Sequence, residues 1–214
     1  MTKNITFYYV RHGRTDFNKA GIIQGQVDSP LCPEGIPVLQ ETGSILKDIP
    51  FNVCYSSPFQ RAISTAEIIL EGRDIPIIPL ESLKEMSFGS IDGKPHKEHK
   101  QELRTGHIFD SFRHVGGESA DDVRKRVRQA FNLIVSSAKD KDQVLITCHG
   151  SYYRYILYEL MYKNRFILKL DPAYTGTANG SVSVFTYTDG RYQLECYPLT
   201  GDSLRSFLRN RTAY

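Results

Sequence analysis

The chain has 214 residues, of which 40% are hydrophobic and 24% charged, the balance of an ordinary globular protein with length enough for one sizeable core. Its net charge of +3 is too small to argue for a nucleic-acid partner, and no apolar run approaches the ~20 residues of a membrane-spanning helix. Four widely spaced cysteines, Cys32, Cys54, Cys148 and Cys196, form no CxxC pair, which excludes a redox motif or zinc knuckle and suits reduced core thiols in a cytoplasmic protein.

The first element is Ile5–Val10, a short run of β-formers read as a buried strand that stops at Arg11-His12-Gly13. It is too short, and lacks a small-residue cleavage site, for a signal peptide. Residues 33–47 predict a helix with Pro33 in its first turn. Val53–Ser56 is a second strand, and Pro58 opens a helix running to about Glu71. Ile75–Leu80 is a third strand, which Pro76 and Pro79 place near a sheet edge. Residues 86–117 read as irregular, with several glycines and four of the six histidines. Ser119–Lys139 is the strongest helix: Ser119 and Asp122 resemble a capping box, and Val123, Val127, Ala130, Phe131, Ile134 and Ala138 recur on one face. Val144–Cys148 is an apolar strand ending in His149-Gly150, followed by an apolar helix to about Met161. Ser181–Thr188 and Tyr192–Tyr197 flank Asp189-Gly190, a hairpin signal. The tail with Arg205, Arg209 and Arg211 reads as a short basic helix.

Strands alternating with helices predict an α/β protein: a three-layer α/β/α arrangement with a mostly parallel central sheet and a C-terminal hairpin. One domain over residues 1–214 is the simplest account, with 86–117 an insertion over the active site.

Ligands of such sheets bind beyond the carboxyl ends of the strands. Two strands here end in a histidine followed by a glycine, at His12-Gly13 and His149-Gly150. If those strands are neighbours, both imidazoles face one pocket. Ser57-Pro58-Phe59-Gln60-Arg61 also follows a strand and sets Arg61 in the first turn of a helix, where a cation is unfavourable unless an anion compensates it. Arginine forks match phosphate oxygens. A neutral imidazole is a competent nucleophile toward phosphorus, and adjacent cations stabilise the transferring group without a metal. Taken singly, a histidine after a strand is commonly structural and an arginine at a helix start is commonly a surface residue. Their joint occurrence, in one order, carries the reading.

The motifs extend that order. Arg11-His12-Gly13-Arg14-Thr15-Asp16-Phe17-Asn18 is followed by Gln24-Gly25-Gln26-Val27-Asp28-Ser29-Pro30-Leu31 and Gly35. Ser56-Ser57-Pro58-Phe59-Gln60-Arg61-Ala62, Leu83-Lys84-Glu85-Met86-Ser87-Phe88-Gly89, Gly116-Gly117-Glu118-Ser119 and Cys148-His149-Gly150 come later. From about Ile5 to Leu199 the chain resembles the histidine phosphatase superfamily, also called phosphoglycerate mutase-like. The resemblance implies that His12 is the residue phosphorylated. Arg11, Arg61 and His149 would hold the phosphate, Asn18 would donate to one of its oxygens, and Gln24, Gly25 and Gly150 would line the substrate side. Glu85 would protonate the leaving alcohol, and so must hold a proton when the ester binds.

Mutases of this family carry an E-R-H-Y-G block where this chain has Glu85-Met86-Ser87-Phe88-Gly89, and a paired-arginine stretch with a proline run that Arg104–His114 lacks. The F-G-x-x-D-G pattern through Asp92-Gly93 is more like the phosphatase branch. The expected function is therefore metal-independent hydrolysis of small phosphate monoesters through a phosphohistidine, with no cofactor. The alternatives are a cofactor-dependent phosphoglycerate mutase and a non-catalytic phosphate-binding regulatory module. His96 and His99, even with His107 and His114, have no carboxylate or thiolate pattern that reads as a metal site. Residues 94–114 hold five Lys or Arg, three Asp or Glu and four His. They read either as a solvated surface loop or as a lid attracting substrates with a second acidic group, an idea tested by changing Lys94, Lys97 and Lys100 to Gln. The expected partner is a small phosphorylated substrate, with no nucleic acid and no membrane, for a monomer or homodimer.

Overall fold

The computed structural model describes residues 3–162 and 177–211. Six strands form one sheet: β1 Asn4–Arg11, β2 Val53–Ser56, β3 Ile77–Pro79, β4 Gln143–Cys148, β5 Val182–Thr188 and β6 Arg191–Leu199, in the order β3-β2-β4-β1-β5-β6. β1 to β4 are mutually parallel, whereas β5 runs antiparallel to both β1 and β6. The mostly parallel sheet and its C-terminal hairpin are as expected. Asp189, at φ 47°, and Gly190, at φ 87°, make the two-residue turn that Asp-Gly favours.

Side chains of the strands alternate between two helical layers. Ile5, Phe7 and Tyr9 of β1 join Val144, Ile146 and Cys148 of β4 against α5, Ala120–Ser137, and α6, Gly150–Ile156. Phe7 stacks on Phe185 at 5.0 Å and meets Phe131 of α5 edge-on at 5.7 Å. On the other face Tyr8, Val10 and Leu145 pack with α2, Ile36–Leu46, α3, Gln60–Ile69, and α7, Gly201–Arg211. Central strands covered on both faces explain the nearly unbroken apolar runs. All four cysteines are buried and free. None of the described helices is long and apolar enough to cross a membrane.

Three expectations need correction. β3 spans three residues rather than six, because prolines at both ends remove ladder donors. The helix read from Pro58 begins at Gln60. Residues 86–117 are not irregular throughout: they contain α4, Lys100–Phe109. Only Leu103 and Gly106 of α4 are buried and no side chain caps its N-terminus, so it lacks both the apolar stripe and the start signal by which a helix is read from sequence. A further helix, α1 Asp16–Ala20, was not foreseen; Thr15 and Asn18 form its capping box.

Candidate active site

Strand pairing assembles the site. Arg11 of β1 stands opposite Cys148 of β4, and Ser56 of β2 opposite Thr147. One step further along three adjacent parallel strands lie His12, His149 and Ser57. The Tyr9 hydroxyl donates to the His149 carbonyl at 2.6 Å and accepts from its N–H at 3.0 Å, which holds the two strand ends together. The imidazoles of His12 and His149 meet edge to face, 5.3 Å between centroids.

His12 Nδ1 lies 2.8 Å from the Gly13 carbonyl. A carbonyl only accepts, so Nδ1 carries the proton and Nε2 keeps its lone pair. Burial, then Arg61 and Arg11, hold the His12 pKa well below the usual histidine value. His149 is lowered in the same direction by burial and by Arg61, His12 and Arg11. Its Nε2 lies 2.7 Å from Ser57 Oγ. Two neutral imidazoles therefore sit between fixed cations.

Arg61 is fully buried. Its Nη1 donates to the Val27 carbonyl at 2.7 Å and to Asp28 Oδ1 at 2.9 Å, and its Nη2 to the Gly25 carbonyl at 2.9 Å. The guanidinium thus orders the 25–28 loop, and Asp28 supplies part of the compensation expected of an anion. Arg11 donates from Nη1 to the Thr177 carbonyl. Arg11 Nε, Arg61 Nε, Gln24 Oε1 and His149 Nδ1 are buried with no hydrogen-bond partner among the described residues; the two guanidinium Nε–H groups are donors suited to a phosphate, whereas Gln24 Oε1 can only accept. Asn18 Oδ1 accepts from Thr15 N and from Asn179 Nδ2, both at 3.2 Å, which leaves its own amide NH2 as the group available to the cavity. A Cβ at Gly150 would stand 3.2 Å from Arg11 Nε, so this glycine gives the guanidinium its room.

The Glu85 carboxylate rests against the first backbone N–H groups of α6. Its Oε1 accepts from the backbone of Met86 and Tyr152, each at 2.8 Å, and its Oε2 from Ser151 at 2.9 Å. Oε2 has the more open valence. Arg126 of α5 braces the loop behind it, donating to the carbonyls of Lys84 at 2.7 Å, Ser82 at 3.1 Å and Glu85 at 3.4 Å. Both Arg126 Nε and Nη2 meet the Glu118 carboxylate at 2.8 Å, and Glu118 accepts from Ser87 N at 2.8 Å.

A sequence model of the histidine phosphatase superfamily, branch 1, matches residues 7–200. The chain belongs to this superfamily. It is 33% identical over 151 residues to the uncharacterized phosphatase PhoE of Bacillus subtilis, covering 71% of this chain and 75% of that one. It is 29% identical over 187 residues to a 2,3-bisphosphoglycerate-dependent phosphoglycerate mutase of Cytophaga hutchinsonii, covering 84% and 86%. The solved structure of YhfR from Bacillus stearothermophilus superposes with a TM-score of 0.79 at 28% identity, over 90% of this chain and 96% of that one. The relatives of this chain thus include proteins named as phosphatases and proteins named as mutases.

All the expected site residues except His149 line one cavity of about 370 Å³; His149 lies against it, fully buried beside His12. Ser57, Asp28, Asn179 and the Arg126–Glu118 pair were not singled out. Asp28, Ser57 and Glu118 stood within the quoted motifs, whereas Asn179 and Arg126 carried no local signal. Asn179 Nδ2 donates to the His12 carbonyl at 3.0 Å as well as to Asn18, a contact visible only after β5 is placed beside β1. Gly25, at φ 46°, lies so close to Asp92 that a Cβ would stand 1.7 Å from its Oδ1. Burial pushes the Asp92 carboxyl up to about 6.

Proposed function

We propose that the protein is a phosphatase that hydrolyses small phosphate monoesters through a phosphohistidine at His12. The observation that carries this reading is the neutral His12 imidazole, Nδ1 committed to Gly13, in a cavity it shares with Arg11, Arg61 and Glu85. His12 Nε2 attacks phosphorus, the P–O ester bond breaks, and Glu85 gives its proton to the departing alkoxide. Water then attacks the phosphohistidine, passes a proton to Glu85, and the P–N bond breaks, returning neutral His12 and free phosphate. Arg11, Arg61, Asn18 and His149 bind the phosphoryl oxygens and stabilise the charge spread over them during both transfers. Because the Arg11 and Arg61 guanidinium groups supply the positive field in this reading, turnover is expected to survive a chelator.

The same first half-reaction would serve a mutase, and the Cytophaga hutchinsonii relative keeps that alternative in view. The block after Glu85 favours hydrolysis. Met86 is buried beneath Tyr155, and the Ser87 backbone is engaged by Glu118. Phe88 lines the cavity instead, so neither position 86 nor 87 adds a cation to hold a second substrate group. Residues 86–117 form the cover of the site in this reading, through Phe88, His96, Leu103 and His107.

The test is hydrolysis of phenyl phosphate and of glycerol 3-phosphate, with and without chelator, together with trapping of an acid-labile phosphoenzyme. Turnover and trapped phosphate are both expected in the wild type and both lost in His12→Ala. Transfer of phosphate between positions of phosphoglycerate, outpacing release of inorganic phosphate, would overturn hydrolysis in favour of the mutase.

A further inference from the structure

Ser57 follows β2 and is fully buried, beside the phosphoryl-binding groups but outside the cavity lining. Its backbone is fixed from both sides. Ser57 N donates to the Thr147 carbonyl at 2.9 Å. The Thr147 hydroxyl donates to Ser56 Oγ at 2.9 Å, and the Ser56 hydroxyl in turn donates to the Ser57 carbonyl at 2.8 Å. With the ends of β2 and β4 tied in this way, the Ser57 hydroxyl is delivered to the His149 ring, its oxygen 2.7 Å from Nε2.

The direction of that bond follows from the supply of protons. A hydroxyl has one hydrogen to give and two lone pairs to receive. Ser57 Oγ accepts a long bond from Phe59 N at 3.5 Å, and among the described residues its one further partner is His149 Nε2. Were the imidazole proton on Nε2, the Ser57 hydrogen would be buried with nothing to receive it, which costs an unmade hydrogen bond. The hydroxyl therefore donates and Nε2 accepts. Burial, together with Arg61, His12 and Arg11, keeps His149 neutral, so the ring has a single N–H, and that N–H is on Nδ1. His149 Nδ1 is buried without a partner among the described residues, as are Arg11 Nε and Arg61 Nε. Elsewhere the ring is closed in by Phe59, edge to face at 5.6 Å, and by His12. The tautomer decides the sign of any contact with an anion. An N–H attracts a phosphoryl oxygen, whereas an imidazole lone pair turned toward it repels it.

We propose that Ser57 is a positioning residue: by donating to His149 Nε2 its hydroxyl fixes the His149 proton on Nδ1, and so makes this buried imidazole a donor to the phosphoryl group. This role deepens the phosphatase reading and rests on it for the identity of the anion. The two histidines then carry the same tautomer to opposite ends. The Gly13 carbonyl takes the Nδ1 proton of His12 and frees Nε2 as a lone pair for attack. The Ser57 hydroxyl occupies Nε2 of His149 and frees Nδ1–H for binding.

Nitrogen NMR of the full chain labelled with 15N-histidine, near neutral pH, tests it directly, because protonated and unprotonated ring nitrogens resonate far apart. Six histidines give few signals, and those missing from His149→Asn belong to His149. The wild type is expected to carry the His149 proton on Nδ1. In Ser57→Ala the proton is expected to be shared with Nε2, and calorimetric affinity for inorganic phosphate to fall about three- to tenfold as the binding-competent tautomer becomes a minority. Ser57→Thr keeps the hydroxyl and is expected to restore both readouts. Ser57→Cys keeps the shape with a weaker donor, is expected to shift both in part, and serves if the alanine variant does not fold. If no ester is turned over and yet the tautomer and the phosphate affinity respond in this way, the hydrolytic reading falls and the role of Ser57 stands. A wild-type His149 protonated on Nε2, or a tautomer and phosphate affinity indifferent to loss of the hydroxyl, overturns it.

Discussion

His12 and His149 are buried and neutral, and that has a consequence for stability. In the unfolded chain each imidazole takes up a proton near its ordinary pKa of ~6.5, whereas in the folded protein both values lie well below it. Between the unfolded and folded values the unfolded state binds more protons, so stability is full above about pH 7 and falls as the pH drops. The linkage slope is about 1.4 kcal/mol per pH unit for each histidine within that window. Urea unfolding between about pH 6.5 and 5.5 should show this loss, and the double variant His12→Gln, His149→Asn should flatten it. At Glu85, Glu85→Gln should lower kcat for an alkyl phosphate by about 10²- to 10⁴-fold. Phenyl phosphate, whose leaving group needs a proton less, should lose far less, and equal losses on both esters would argue against proton donation. Both histidines were legible from local motifs, because a strand that ends in a pocket leaves its last side chains beside each other in sequence, whereas Glu85, which follows no strand end, was singled out only through the family resemblance. The tautomer of His12 was not legible, since it depends on where the Gly13 carbonyl turns.

At the level of elements, α5 does more than cover the sheet. Its Arg126 joins Glu118 and three carbonyls of the Glu85 loop, which makes it a positioning residue. Arg126→Met should lower kcat for alkyl phosphates about 10- to 100-fold with little change in KM. Lys at the same position should restore part of it, having charge but not the fork. A loss confined to thermal stability would assign Arg126 a structural role only. The Ser119 cap of α5, whose hydroxyl accepts from Asp122 N, should contribute about 1 kcal/mol, read as the change on Ser119→Ala in urea unfolding. The capping box and apolar face of α5 made that helix plain in sequence. By contrast α4 stayed hidden, because its place is set by Gly106 against Phe112 rather than by any periodic stripe of its own.

Across the whole molecule the net charge is small, yet Arg11, Arg61 and Arg154 line one cavity. A local field of that kind steers anions into the cavity and is screened by salt. Raising ionic strength from about 0.01 M to about 0.15 M, which shortens the screening length from ~30 Å to ~8 Å, should lower kcat/KM for phosphate esters while leaving kcat nearly unchanged. No salt effect on kcat/KM would argue that the cavity cations are already neutralised. By itself the sequence determined the alternation of strands and helices, the C-terminal hairpin, the family, and the His-Gly pairs at two strand ends, because each of these is written in residues close together along the chain. Tertiary structure alone decided that β4 lies between β1 and β2, so that His12, His149 and Ser57 converge. It also decided that Arg61 spends most of its guanidinium on the 25–28 loop, and that His96, His107 and Arg154, rather than the lysines nearby, face the cavity. These depend on contacts between segments far apart in the chain, and the direction in which a long charged side chain points is set by the surfaces packed around it.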